Sequence, residues 1–319
     1  MTHILVTGGA GFIGSHIVER LLLDGASVRV LDNLSSGRRE NLRFEWFDAS
    51  NHSPAQGSLE ILEGDLRDSE VVKAAMRDIE LVFHLAAFVS VSKSMLDPEG
   101  CFDVNVAGTE TLLEAARRAG VNKVVLSSST AVYGNTNKFP TDEETPLQPL
   151  SPYALSKQVN ELYARLYTQT FNLPVIALRY FNVFGPRQRP DSDYAAAIPI
   201  FVKHLIAGEP ITIYGDGKQS RDFIFVKDVV RANLLAAKSD VAGDAFNVCT
   251  GRETTLLDLL EELSEVSPHQ SEVRFTAVRP GDIYRSAGNP QKASAALDFQ
   301  AETSLAEGLK QTVEWMKGK

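Results

Sequence analysis

The stretch Ile4-Leu5-Val6-Thr7-Gly8-Gly9-Ala10-Gly11-Phe12-Ile13-Gly14 carries an apolar run straight into a glycine cluster, and Ser15-His16-Ile17-Val18-Glu19-Arg20-Leu21-Leu22 follows with a helical pattern. The three parts read as a buried strand, a tight turn and a helix. Glycines at 8, 11 and 14 permit the turn, close approach of backbone to a pyrophosphate, and close packing of helix on strand, with the helix N-terminus facing the anion. A glycine triplet alone is a weak signal. Here a second strand, Ser27-Val28-Arg29-Val30-Leu31, ends in Asp32, 18 residues after Gly14, where a carboxylate accepts hydrogen bonds from an adenosine ribose. The reading is a dinucleotide site. Asp32 favours NAD over NADP, whose 2′-phosphate it repels; a loop acid with no ligand is the alternative. Arg38 and Arg39 soften the preference, because an arginine just past this strand can meet a phosphate.

Outward from this unit the βα alternation continues. Leu59-Glu60-Ile61-Leu62-Glu63-Gly64-Asp65 reads as a third strand, with Asp65 and Leu66 at its C-terminal end, where open α/β sheets bind ligands. Residues 45–58 before it read as a loop of no evident function. Leu81-Val82-Phe83-His84-Leu85-Ala86-Ala87 is a fourth strand, and the small Ala86 and Ala87 let a cofactor lie close to the backbone. His84 reads as a packed residue, since no second His or Cys is spaced to join it in a metal site. A helix from about Glu99 to Ala119, containing Asn105, precedes a fifth strand, Lys123-Val124-Val125-Leu126-Ser127. The expected cofactor contacts are Gly8, Gly11, Phe12, Ile13, Gly14, Asp32, Asn33, Asp65, Leu66, Ala86, Ala87 and Asn105, joined by Tyr153 and Lys157.

The fifth strand runs into Ser128-Ser129-Thr130-Ala131-Val132-Tyr133-Gly134, a hydroxyl-rich end where active sites of this architecture lie. A Ser or Thr there can hold a substrate oxygen; a plain Ser-rich turn is the other reading. Next comes Ser151-Pro152-Tyr153-Ala154-Leu155-Ser156-Lys157. With the residues from Ser156 on read as helical, Tyr153 and Lys157 stand one turn apart on one face. A free phenol has a pKa of about 10, and a cation held beside it favours the phenolate. Such a pair can take a proton from a hydroxyl and give it back. An isolated Tyr-x-x-x-Lys is more often an incidental surface pair.

At 319 residues the chain has room for one large domain or two unequal ones. Its 44% hydrophobic and 23% charged residues are those of an ordinary globular protein. The formal net charge of −9 argues against nucleic acid or an anionic membrane as partner. Cys101 and Cys249 match no metal or redox spacing and read as buried free thiols. The start resembles no signal peptide, and no apolar run approaches the ~20 residues of a membrane span, so a cytoplasmic location is expected.

Taken in order, the Thr-Gly-x-x-Gly-x-x-Gly turn, the Ser-rich strand end and the Tyr-x-x-x-Lys pair resemble the extended branch of the short-chain dehydrogenase/reductases, specifically the NAD-dependent nucleotide-sugar epimerases and dehydratases. The likeness covers essentially the whole chain. It implies an α/β fold: a Rossmann-type doubly wound parallel sheet over residues 1–180, including the Tyr/Lys helix, and a smaller C-terminal α/β domain over 181–319 for the nucleotide sugar, with some return of chain to the sheet. From about residue 190 the strict βα rhythm is indeed lost. The resemblance makes Asn182, after the strand Val175–Tyr180, a contact to the diphosphate; by chemistry alone it equally caps a turn. Tyr214-Gly215-Asp216-Gly217-Lys218-Gln219-Ser220-Arg221-Asp222 and Arg279-Pro280-Gly281-Asp282 look like two family motifs in which Arg221 and Arg279 grip the diphosphate, a role suited to the bidentate guanidinium. Asp282 then accepts from the nucleoside ribose. Lone arginines are usually surface residues. Related enzymes often pair through the helices preceding strand five and carrying the Tyr/Lys motif, so a homodimer is expected.

In the family's 4,6-dehydratases an Asp-Glu follows the hydroxyl residue, and in the UDP-glucuronate decarboxylases a Glu does; here Thr130-Ala131-Val132 stands instead. With no added carboxylate, hydride removal and return remains, and the resemblance implies a UDP-hexose 4-epimerase. Tyr153 takes the 4-OH proton, NAD takes the C4 hydride, Ser129 holds the oxygen with Thr130 as understudy, and Lys157 holds the cofactor ribose and tunes Tyr153. The 4-keto sugar turns over, and hydride returns to its other face. Ser286, four residues after Asp282, stands where a bulky family residue excludes a 2-acetamido group; being small, it admits N-acetylhexosamines beside plain hexoses. The run Tyr180–Gln188 with Tyr194–Pro199 looks most like bacterial UDP-N-acetylglucosamine 4-epimerases, while Ala287-Gly288-Asn289 departs from a common Ala-Asp pair. Two further readings are another nucleotide-sugar enzyme of this fold, such as a UDP-glucuronate 4-epimerase or a reductase, and a non-catalytic NAD-binding sensor. The intact Ser129, Tyr153 and Lys157 speak against the sensor.

Overall fold

A computed structural model describes residues 3–44, 57–191, 196–267, 271–278 and 283–318; most of the expected loop 45–58 lies outside them. The chain opens with β1 (His3–Thr7), α1 (Phe12–Leu23) and β2 (Ser27–Asp32). Next are β3 (Ser58–Glu63), α2 (Ser69–Ala75), β4 (Leu81–His84), α3 (Val91–Leu96), α4 (Pro98–Phe102), a π-helical turn at Asp103–Ala107, α5 (Gly108–Ala119) and β5 (Lys123–Ser129). After α6 (Pro152–Phe171) and β6 (Val175–Tyr180) come β7 (Asn182–Phe184), α7 (Ala197–Ala207), β8 (Ile211–Tyr214), β9 (Ser220–Arg221), β10 (Phe223–Phe225) and α8 (Val226–Lys238). The last elements are β11 (Ala245–Val248), β12 (Thr254–Thr255), α9 (Leu256–Val266), β13 (Val273–Thr276), α10 (Gln291–Leu297) and α11 (Leu305–Lys317).

Seven strands form one sheet in the order β11-β6-β5-β4-β1-β2-β3. Parallel register pairs Ile4 with both Val28 and Leu81, Val28 with Leu59, and Leu81 with Lys123. Parallel strands need crossovers, and sheets so covered are apolar on both faces; Leu5, Val6, Val30, Val82, Phe83, Val124 and Val125 are accordingly buried. One core cluster joins Leu5, Leu31, Val82 and Val124 to Leu112 and Leu113 of α5 and Ala164 and Tyr167 of α6. Strand order reverses between β1 and β4, which opens the switch point of a doubly wound, Rossmann-type sheet to a ligand.

Two details depart from the sequence reading. The helix from about Glu99 is α4 and α5 joined through the π-helical turn. The helix of Tyr153 starts at Pro152, four residues before Ser156, because Ser151 caps it by accepting from the Ala154 N–H at 3.1 Å and Pro152 has no N–H to lose at the first position.

Two compact units are distinguishable: Met1–Gly134, Pro146–Arg179 and Val230–Phe246 form the first, and Asn135–Thr145, Tyr180–Val229 and Asn247–Lys319 the second. In the second, β7 pairs with β10 and β8 with β13 in parallel, and β9 with β12 antiparallel. Phe184 packs against Phe223 and Phe225 there. Gly308 of α11 lies so close that a β-carbon on it would come within 2.6 Å of the Phe184 ring. No helix among the described residues is long and apolar enough to cross a membrane.

Candidate active site

In the first unit, the end of β5 and the start of α6 meet through side chains. Ser129 closes β5 and caps the following turn, accepting from the Ala131 N–H at 3.2 Å, and its hydroxyl acts on the Tyr153 phenol to lower its pKa. Thr130, half-buried, is the next residue of that turn. Tyr153 stands in the first turn of α6, its N–H donating to Ser94 Oγ at 3.1 Å. One turn on, Lys157 is buried and donates to the Ser127 carbonyl at 2.9 Å, with Ser127 Oγ at 3.4 Å. Its Nζ is 5.9 Å from the centre of the Tyr153 ring.

Burial pushes the Lys157 ammonium down to about 8, against opposing contributions from Cys101 and Glu161. Burial also raises the Tyr153 phenol above its ordinary value; the Ser129 hydrogen bond pulls it back and Cys101 adds to the rise. The expected lowering of Tyr153 by Lys157 is therefore not what this geometry produces. Desolvation is the largest influence on the phenol, and the Lys157 ammonium donates to the Ser127 carbonyl.

The glycine turn follows β1. Gly8, at φ 68°, faces Ala86 so closely that a β-carbon would lie 2.6 Å from the Ala86 nitrogen, which joins the turn to the loop after β4. A β-carbon on Gly14 would come within 2.2 Å of the Gly8 carbonyl oxygen. Gly11 caps α1 and offers no side chain to the first helical N–H groups, those of Phe12, Ile13 and Gly14. That uncapped, dipole-positive end suits a pyrophosphate. Buried Asp32 accepts from the Ala10 N–H at 2.9 Å and the Leu34 N–H at 2.8 Å, and burial raises its pKa. A carboxylate there gains from hydroxyl donors such as those of a ribose. These residues fit a dinucleotide.

The remaining expected cofactor residues fall around this turn in different ways. Asn33 donates to Asp65 at 2.8 Å, and Arg67 holds the Asp65 carboxyl well below the usual range. Leu66 belongs to the core cluster, so only its backbone is available to a ligand. Ala86 and Ala87 are half-buried. Asn105 is spent on the chain itself: it accepts from the Phe88 N–H at 2.7 Å and donates to the Phe88 carbonyl at 3.1 Å and Ser156 Oγ at 2.9 Å. Arg39 pairs with Glu63. His84 lies between Thr7 and Thr109, hydrogen-bonded at 2.7 and 2.9 Å; burial, then Lys157, lowers it to about 3, so it is neutral. Among the described residues no group of His, Cys, Asp and Glu is placed to hold a metal ion.

In the second unit, Asn182 and Arg221 line one cavity of about 550 Å³. Phe201 and His204 of α7, Tyr214, Gln219 and Phe223 are also on its wall. The amide of Asn182 donates to the Asp222 carbonyl at 3.3 Å. Arg221 donates to the Ser220 carbonyl at 2.8 Å. Asp222 is fully buried and accepts from the Thr250 N–H and hydroxyl and from the Gly251 N–H at 2.7 to 2.9 Å, and from the Gly288 N–H at 3.3 Å. Ser286 donates its N–H to the Ser220 carbonyl at 3.1 Å and is not on the cavity wall. Arg279 and Asp282 lie outside the described residues. Sequence reasoning passed over the part of Ser127 in holding Lys157, and over Phe201 and His204. The second pair was detectable, since positions 197, 201 and 204 share one helix face.

A model of the NAD-dependent epimerase/dehydratase family matches residues 4–249. The UDP-glucose 4-epimerase of Mycolicibacterium smegmatis is 42% identical over 99% of this chain and 98% of its own length. The UDP-N-acetylglucosamine 4-epimerase of Methanobrevibacter ruminantium, solved with UDP-N-acetylmuramic acid, superposes with a TM-score of 0.92 at 40% identity, covering 99% of this chain and 98% of that one. The Thermus thermophilus UDP-glucose 4-epimerase in complex with NAD gives 0.88 at 39%, covering 99% of each chain. With likeness of that extent lying over a doubly wound sheet, a glycine turn and a Ser129–Tyr153 pair, this chain belongs to the NAD-dependent epimerase/dehydratase family.

Proposed function

We propose that the protein is a 4-epimerase of UDP-hexoses, converting UDP-glucose and UDP-galactose, and UDP-N-acetylglucosamine and UDP-N-acetylgalactosamine, through a transient 4-keto sugar. The observation that carries this reading is Tyr153 with the Ser129 hydroxyl acting on its phenol and buried Lys157 one turn away, its Nζ 5.9 Å from the ring centre, in a stretch where Thr130-Ala131-Val132 supplies no carboxylate for elimination or decarboxylation. The glycine turn, Asp32 and the small Ala86 and Ala87 hold NAD, which when bound accepts hydride from C4 of the sugar and returns it. Tyr153 takes the proton of the 4-OH and later restores it. Ser129 donates to the same oxygen and keeps it within reach, with Thr130 beside it. Burial raises the phenol, and positive charge brought near it would favour the phenolate. Asn33, Asp65, Asn105 and the Leu66 backbone frame the cofactor site. Lys157 contributes its ammonium to the cofactor ribose.

Asn182 and Arg221 hold the nucleotide diphosphate in the second unit's cavity, with Arg279 and Asp282 as further contacts; aromatic walls at Phe201, Tyr214 and Phe223 suit a base. Ser286, small and half-buried, leaves room for a 2-acetamido group. The protein works as a homodimer. Leu155, Leu162 and Leu166 are exposed along one stripe of α6, and Phe102 of α4 is exposed as well, an apolar face that a second copy covers. Incubation with UDP-glucose and, separately, UDP-N-acetylglucosamine without added cofactor, with the C4 epimers resolved by chromatography, tests the reaction. Conversion of both is expected. If neither converts after NAD is supplied, the reading fails.

A further inference from the structure

Successive serines at the end of β5 meet one face of α6: Ser127 is tied to Lys157, the Ser129 hydroxyl acts on the Tyr153 phenol, and Ser128 is tied to Glu161, whose Oε1 accepts from Ser128 Oγ at 2.5 Å. Positions 153, 157 and 161 repeat every four residues, so the three partners stack along the helix. The first two belong to the chemistry described above. The third has no part in it and continues into a buried network. Arg179, at the end of β6, donates to both oxygens of Glu161 at 2.9 and 2.7 Å and to the Tyr133 hydroxyl at 2.8 Å, with its guanidinium 5.0 Å from the centre of that ring. The ionic side chains are only 6% and 9% exposed.

We propose that Glu161, acting with Arg179, is a positioning residue that clamps both ends of the Ser128–Tyr133 stretch and thereby holds Ser129 against Tyr153. Ser128 and Tyr133 bracket Ser129 and Thr130; Ser128 is anchored directly to the helix whose first turn carries the phenol, and Tyr133 to it through Arg179 of β6. Stability alone does not account for the network, because a buried ion pair is commonly matched by apolar groups of the same volume. What apolar groups cannot supply is a directed tie at each end of the stretch. The guanidinium stays protonated: burial works against it, but the hydrogen bonds and charge of Glu161 more than compensate. The negative charge of Glu161 also favours the charged form of Lys157.

This proposal rests on the epimerase reading only for its kinetic arm. The double variant E161L/R179M removes the clamp without leaving a buried charge unpaired, and S128A removes one tie at small risk to folding. With UDP-glucose and UDP-N-acetylglucosamine as probes, kcat of the double variant is expected to fall about 100-fold and that of S128A about 10-fold, since ångström-scale misplacement costs on the order of 10² in rate. KM for either UDP-sugar and bound NAD content stay within about threefold of the parent. A purely structural role would instead lower thermal stability and leave kcat per folded molecule alone. Crystal structures of the parent and both variants decide the geometry independently: the proposal requires Ser129 Oγ to move away from the Tyr153 hydroxyl in the double variant relative to the parent. If that separation is unchanged, or if kcat of both variants stays within threefold of the parent, the proposal is overturned. If the parent itself converts neither UDP-sugar, the epimerase reading fails, and the crystal structures alone decide the clamp.

Discussion

Burial lowers the Lys157 ammonium from an ordinary 10.5 to about 8, so between those pH values the unfolded chain binds more protons than the folded one and stability rises with pH. Below about pH 8 both states are protonated and the whole penalty, about 3 kcal/mol, weighs on the fold. Lys157→Met is accordingly expected to stabilise the NAD-free protein relative to the parent at pH 7, with the difference shrinking as pH is raised to 10. Urea titrations at both pH values measure it, and a difference that does not change with pH contradicts the burial argument. Tyr153 fails differently. Tyr153→Phe keeps the ring and loses the proton carrier, so kcat should fall by about 10²–10⁴-fold, the range for a general acid–base group. NAD content of the purified protein should be unchanged, and appreciable turnover by this variant would remove Tyr153 from the chemistry.

The elements explain why these side chains arrive where they do. A serine cap and a proline at the first helical position start α6 early enough to place Tyr153 in its first turn. The glycine turn needs its missing β-carbons, since Gly8 and Gly14 are pressed against the chain on both sides. In the second unit, Asp222 does for the cavity lined by Asn182 and Arg221 what Ser151 does for α6. Its carboxylate gathers the Thr250–Gly251 turn and Gly288 while its carbonyl accepts from Asn182. Asp222→Ala leaves those buried donors unpaired and is expected to destabilise by about 2–4 kcal/mol. At a temperature where the variant is folded, KM for a UDP-sugar should rise at least tenfold while kcat changes less. Steady-state kinetics check this, and an unchanged KM would separate Asp222 from the cavity.

At the scale of the molecule, a formal charge of −9 means that an anionic ligand must be met locally. Arg221 in its cavity and the uncapped end of α1 are such places. The exposed leucine stripe of α6 sits on the helix that carries Tyr153 and Lys157. Placing charges on it with Leu155→Glu and Leu162→Glu should convert the proposed homodimer to monomers, read by sedimentation equilibrium. If the parent sediments as a monomer, the stripe needs another explanation.

By itself the sequence determined the doubly wound sheet, because strand, glycine turn and helix follow one another within twenty residues and their signals are local. The acid at the end of β2 and the Tyr153/Lys157 spacing were legible for the same reason, both being periods of one element. His84 was legible as a packed residue from the lack of metal-spaced neighbours. Only the tertiary structure decided which way the charges balance. Desolvation at Tyr153, the ammonium of Lys157 bound to a strand carbonyl, and the spending of Asn105 on the Phe88 backbone depend on residues far away in sequence. Ser128, Glu161, Arg179 and Tyr133 form no motif along the chain; they become a network because β5, α6 and β6 pack side by side, and hydrogen bonds between elements leave no periodic trace in sequence.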